Sequence, residues 1–155
     1  MQTSPGELGI EGAVTGARLL SRPVRVRGIQ LGRSVDLLLD PKRPRVLGLE
    51  VRCGDDRNRF LPFSATIVAG VELLVPSALV LVDEEDAGFY RERAVRLASL
   101  RGEPVEQDGR RVGRLLDVAV DADGIVVALV VDSDGTRAAV PCSGGLQLGG
   151  GVIRC

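Results

Sequence analysis

The chain has 155 residues, a net charge of −1 and no histidine. That composition removes the commonest general base and metal ligand, and with them any Cys-His or Ser-His nucleophile pair. Aromatic residues make up only 3%, so Val, Leu, Ile and Ala must carry the core, and short, tightly packed strands are expected rather than a roomy ligand cavity.

Residues 1–16, rich in glycine and polar groups, read as a flexible leader without the basic stretch and apolar run of a secretory signal. A first module follows over 17–82. Ala17 to Leu20 reads as a turn of helix, and Pro23 to Arg27 as a strand in which arginine alternates with apolar residues, turned by Gly28. Arg33 to Leu39 and Arg45 to Cys53 form a long hairpin, Arg59 to Phe63 a further strand, and Thr66 to Val68 with Glu72 to Val75 short closing strands. Ser77 to Val82 completes the module as a last strand. Five or six short strands with regular turns predict a small closed barrel, because closure hides the edges that a tiny sheet cannot otherwise cover.

Residues 83–97 break the pattern. Acids at Glu84, Glu85 and Asp86 and arginines at 91, 93 and 96 complement a helix macrodipole, so a helical linker of two or three turns is expected, with Phe89, Tyr90, Ala94 and Leu97 as its apolar face. A second module over 98–155 repeats the plan: Pro104 to Glu106, Arg111 to Asp121, Gly124 to Asp132, Thr136 to Cys142, and short strands near Leu146 to Leu148 and Val152 to Arg154. Asp123-Gly124, between two β-branched runs, predicts a type I′ hairpin turn.

The two modules are copies. Pro23-Val24-x3-Gly28-x3-Gly32-Arg33-x2-Asp36-x3-Asp40 returns 81 residues later as Pro104-Val105-x3-Gly109-x3-Gly113-Arg114-x2-Asp117-x3-Asp121. Past the hairpin the offset slips to 80 and then 79, which pairs Leu49 with Leu129 and Pro62 with Pro141. Two copies at this spacing describe a duplicated domain rather than a solenoid. Each copy is small enough to bury only about 60% of its unfolded surface, so the halves are expected to lean on each other or on a second chain.

This pattern, in both copies, resembles the PRC-barrel family, named for the cytoplasmic part of the photosynthetic reaction-centre H subunit and found also as the C-terminal domain of the ribosome-maturation factor. The resemblance covers roughly 17–82 and 98–155 and implies an all-β chain of two small PRC-type β-barrels in tandem, joined by a short helical linker. It implies a non-enzymatic binding or adaptor role with no catalytic residues and no cofactor. Two departures are plain: nothing before residue 17 matches the ribosome factor's RNA-facing domain, and no segment matches the reaction-centre subunit's transmembrane helix.

Candidate chemistry is sparse. Serines 34, 64, 77, 99, 133 and 143 have no activating partner legible in the sequence. Asp121-Ala122-Asp123-Gly124 and Asp132-Ser133-Asp134-Gly135 share the opening residues of a calcium loop but lack glycine at its sixth position and glutamate at its twelfth, so they read as turns. Gly149-Gly150-Gly151 has no following helix or Lys-Ser/Thr and is no phosphate cradle. Asp36 and Asp117, at matching places inside apolar strands, either do chemistry, or cap or bridge backbone in a twisted barrel, or sit on the outward face opposite Arg33 or Arg114. Cys53, Cys142 and Cys155, odd in number and without CxxC spacing, read as reduced thiols in a cytoplasmic protein.

Charge is uneven along the chain. Residues 1–82 hold eleven Arg or Lys against eight acids, and 83–155 hold nine against thirteen. The candidate partner-binding set is Arg22, Arg25, Arg27, Arg33, Arg43 and Arg45, of which Arg25 and Arg27 are expected on one strand face. It stands either as a solvated face or as a grip for an acidic protein or phosphates. Two functions are therefore carried forward. One is an adaptor engaging a protein partner through strands and loops; the other is a module bound to RNA or a ribosomal particle through the arginines. A homodimer and a peripheral membrane complex both fit the pattern, and stacking on bases does not, for want of interleaved aromatics.

Overall fold

A computed structural model describes residues 12–142 and 145–155. In chain order it has β1 (Val14–Thr15), α1 (Gly16–Leu19), β2 (Pro23–Val26), β3 (Ile29–Leu39), β4 (Val46–Cys53), β5 (Asn58–Pro62), β6 (Ile67–Ala69), β7 (Glu72–Leu74) and β8 (Val82–Asp83). There follow α2 (Gly88–Arg93), β9 (Val95–Arg96), α3 (Leu97–Leu100), β10 (Pro104–Gln107), β11 (Arg110–Val120), β12 (Val126–Ser133), β13 (Thr136–Pro141) and β14 (Ile153–Arg154). The chain is mostly β. No helix among the described residues is long and apolar enough to cross a membrane.

Two sheets form. One runs β6-β7-β2-β3-β4-β5-β8 and the other β13-β12-β11-β10-β14. The duplication reaches the ladder itself: Pro23 opposes Arg33 as Pro104 opposes Arg114, and the register shifts at Ser34/Asp36 and Leu38/Leu39 recur at Leu115/Asp117 and Ala119/Val120. Such a bulge opposes two residues to one and changes which side of the strand faces in. It puts Val35 outside while Asp36, Leu37, Leu38 and Leu39 are buried.

The halves exchange arms. β1, which precedes the first module, pairs with β11 of the second through Val14–Val120 and Thr15–Ala119, and β9 pairs with β3 through Leu38–Arg96 and Leu39–Val95. The two long hairpin loops meet as well, with the Val46 amide donating to the Gly124 carbonyl and the Val126 amide to the Pro44 carbonyl, each at 2.8 Å. One apolar core spans the two halves, from Leu19 and Leu37 to Leu129 and Ile153. The expectation that small halves lean on each other is met by this continuous core.

Several expectations are corrected. Each sheet is an open path of strands rather than a closed hydrogen-bonded ring. Residues 12–16 are no loose leader: Ala13 and Thr15 are buried and β1 is hydrogen-bonded to β11, while residues 1–11 lie outside the described residues. Ser77 to Val82 is a 3-10 turn at Ala78–Val80 leading into β8, started by the Ser77 hydroxyl accepting from the Leu79 amide. The linker helix shrinks to Gly88–Arg93, because Val95 and Arg96 are taken up in the ladder on β3. Leu146 to Leu148 makes a single bridge, Gln147 to Arg154, instead of a strand.

The hairpin turn at Asp123-Gly124 is also different in kind. Only Gly124 has positive φ, at +84°, and the Asp121 carboxylate accepts from the Asp123 and Ile125 amides, so a five-residue loop is built around one aspartate. Two-residue turns with positive φ at both positions occur instead at Arg27-Gly28, Asp108-Gly109 and Asp134-Gly135. Cys142 and Cys155, expected as reduced thiols, form a disulfide with 5.8 Å between Cα atoms, and Cys53 is the free, buried cysteine. Parallel pairing of β14 on β10 carries Cys155 back beside Pro141, a proximity that sequence spacing does not reveal. The pairing removes the thiol argument for a reducing compartment.

Candidate functional site

The six arginines do not form one patch. Arg22 donates to the Gly70 carbonyl, Arg25 pairs with Glu72 at 3.0 Å, and Arg33 donates to the Ser21 carbonyl at 3.0 Å. Burial, with Arg18 nearby, lowers the Arg22 pKa from its ordinary value. Arg27 sits in the β2–β3 turn at φ +48°, so it leaves the strand face it was expected to share with Arg25. Arg43 and Arg45 lie beyond the far end of β3, about 20 Å from Arg33 at roughly 3.3 Å per strand residue. Arg45 there bridges to Ile125 of the second module.

Asp36 and Asp117 have a shared task. The Asp36 carboxylate accepts from the Ala98 amide at 3.2 Å, and Asp117 accepts from the Ala17 amide at 3.0 Å. Ala17 and Ala98 lie in the first turns of α1 and α3, where backbone N–H groups have no helical partner. Each half therefore supplies a carboxylate that caps the single-turn helix leading into the other half. Burial raises the Asp117 pKa, opposed by the Ala17 and Val118 amides. Of the readings open in the sequence, the outward-facing one fails because both aspartates are buried, and the backbone cap is the one the geometry carries.

The region most unlike its copy lies between the β3–β4 loop and α2. There a cavity of about 620 Å³ is lined by Asp40, Lys42, Arg43, Leu47, Phe89 and Arg93 among others. The loop is shaped by Asp40, whose carboxylate accepts from the Lys42 amide at 2.9 Å while its amide donates to the Arg45 carbonyl at 3.0 Å. On the opposite wall Tyr90 stacks on Phe60 with centroids 4.2 Å apart, Phe89 meets Tyr90 edge-on at 5.6 Å, and the Arg93 guanidinium lies 4.1 Å from the Phe89 centroid. Phe89 is nonetheless 58% exposed.

Glu50 anchors that wall. It is 5% exposed and takes hydrogen bonds from Arg96 and from Asn58 at 3.1 Å, with Arg91 at 3.7 Å. Sequence reasoning passes over Glu50 because one acid in an apolar strand reads as an outward residue. The duplication held the signal, since the matching residue of the second copy is Val130. Arg43 alone of the six sequence candidates lines this cavity.

Compared by sequence, the chain matches no family model and no curated protein.

Proposed function

We propose that the chain is a non-catalytic adaptor made of two duplicated β modules in tandem, each resembling a PRC-type domain with an open sheet, whose first half meets a protein partner. The observation that carries this reading is a lopsided surface. Of eight large apolar side chains exposed among the described residues, seven lie between Ile29 and Phe89, and only Ile125 belongs to the second half. Leu79 is 91% and Val71 74% exposed, in a chain whose other leucines and valines mostly fill a continuous core. Exposed large apolar side chains in one half and nearly none in the other are what a protein interface on that half would draw on. The engagement of Arg22, Arg25 and Arg33 within the chain weighs against RNA as the main partner.

The test is affinity purification of the tagged protein with and without ribonuclease, beside a Val71→Glu/Leu79→Glu variant. A ribonuclease-resistant partner that the variant loses is the expected result. Ribosomal proteins that vanish with ribonuclease, bound with an affinity falling about one log unit per log of salt for each phosphate contact, would replace the adaptor by the RNA reading.

A further inference from the structure

We propose that the cavity between the β3–β4 loop and α2 binds an acidic peptide segment carrying an aliphatic side chain. The proposal rests on the adaptor reading and names the chemistry of the partner. Lys42, Arg43 and Arg93 all border the cavity, and among the described residues none has a carboxylate partner within 4.0 Å. Arg22, Arg27, Arg33 and Arg45 share that lack, but only these three cations converge on one cavity, while Arg91 and Arg96 beside it are paired. The carboxylates on the rim are Asp40, one oxygen of which is taken by the Lys42 amide, and Glu92. Three cations against two acids, one of them engaged, leave the rim attractive to an anion.

The floor selects what accompanies that anion. Arg93 covers one face of Phe89, and the edge-on contact with Tyr90 sets that ring at 88° to its neighbour. A flat base therefore finds one Phe89 face already taken by Arg93, while Leu47, Pro41 and the ring edges line the cavity for a branched aliphatic group. The wall is held in place: Tyr90 is stacked on Phe60, Arg91 is tied to Glu84 and Glu50, and β9 directly after α2 is paired to β3. A preformed pocket binds without the cost of ordering its own walls.

The second half acts as a natural control. In place of Asp40-Pro41-Lys42-Arg43 it has Asp121-Ala122-Asp123-Gly124, keeping the aspartate-centred loop and reversing the charge, and in place of Phe60 it has Ala139. The cations and the aromatic wall occur together in one copy and are absent together from these positions of the other.

Tyr90 is the only tyrosine and the chain has no tryptophan, so intrinsic fluorescence reports this site alone. The probe is a capped peptide of alternating glutamate and leucine, with glutamine in place of glutamate as control. The expected result is a saturable change in tyrosine emission at about micromolar to 100 micromolar peptide, with the glutamine peptide and a Lys42→Glu/Arg43→Glu variant each about tenfold weaker or more. Both substituted side chains are exposed on a loop, and an unchanged melting temperature confirms that the variant is folded. Absence of saturation up to about millimolar peptide, or equal affinity for the glutamine peptide or the variant, would overturn the proposal. So would stronger competition by an oligonucleotide than by the peptide. If the cellular partner is lost from Val71→Glu/Leu79→Glu but kept by Lys42→Glu/Arg43→Glu, the adaptor reading stands and the pocket assignment falls.

Discussion

On β4 and β5 of the first half, Glu50 opposes Phe60; at the same rungs of the second half Val130 opposes Ala139. Phe60 packs with Leu38, Ala87, Tyr90 and Ala94, so the outer face of that ladder needs the bulky cover that 83–94 provides. Its counterpart packs Ala119, Ala128 and Ala139 with Ala13, a flatter surface built of methyl groups. The inner faces, by contrast, carry leucine and valine in both halves and merge into one core. Duplication has preserved what the two copies bury against each other and has let the outer faces diverge. The divergent face is where the exposed aromatic, the unpaired cations and the cavity lie.

The sharpest way to break this pairing of halves is at its centre, where the copies differ by necessity. Gly16 and Leu97 occupy equivalent positions, and a Cβ on Gly16 would come within 2.5 Å of an Asp117 oxygen and 2.7 Å of Leu97. Gly16→Val should cost about 3 kcal/mol by overpacking, and Leu97→Ala about 3 kcal/mol by leaving a cavity, both read as a lower urea midpoint. Because the two side chains share one space, Gly16→Ala/Leu97→Ala should lose clearly less than the sum of its singles. Additive losses would show that the two positions do not share that space.

A second comparison concerns the ends of the two modules. The parallel strand β7 is held on β2 by its own hairpin with β6, while β14 on β10 has the Cys142–Cys155 disulfide beside it. Closing a loop of 13 residues' separation is worth about 2–3 kcal/mol in the chain-entropy account. Reduction, or Cys142→Ser, should lower the unfolding free energy by that amount, seen as a lower urea midpoint, and raise hydrogen exchange at Ile153 and Arg154 while Leu73 and Leu74 stay protected. Equal exchange at both strands under reducing conditions would remove the difference between the modules.

The smallest effect is in pH. Burial raises the Asp117 pKa, so in the interval between its unfolded and folded values the native state binds more protons than the unfolded chain. Its contribution is full below the unfolded pKa and is lost as pH rises through the folded one. Asp55 works in the opposite sense. Its hydrogen bonds from Arg59 hold it down to about 2, so its contribution is present above the ordinary carboxylate range and disappears as pH falls toward that value. Melting temperature against pH should therefore show a gain on mild acidification that Asp117→Asn abolishes and Asp55→Asn leaves in place. An unchanged profile in Asp117→Asn would rule out the burial effect.

Much of the ladder is legible in the residues. β-branched runs, Gly28 and Gly109 at turns, and the repeated spacing of Pro23-Val24 and Asp36 locate the long strands to within about two residues, since alternation and turn chemistry act over a few neighbours. The exception is β3, which begins at Ile29, four residues before the expected Arg33. Gly124 marks a hairpin correctly, but the turn type depends on Asp121 folding its carboxylate over the loop, a choice between two local solutions that dipeptide signals do not separate. Of the candidate site, Arg43 was legible. Glu50, Arg93 and Tyr90 were not, because what joins them is the packing of α2 on β4 and β5, between residues some 40 positions apart.

Local pattern by itself determined that Asp36 and Asp117 are equivalent and that the chain is a duplicated, mostly β protein; it reads Val14–Thr15 as leader and Val95–Arg96 as helical linker, whereas both are short strands. Only the tertiary structure decided that each short arm pairs with the other half's long strand and that each aspartate caps the other half's helix. A strand of two residues has unpaired N–H and C=O groups but no preference among partners until a core exists to position one. Each half, too small to bury its own apolar face, provides that core for the other.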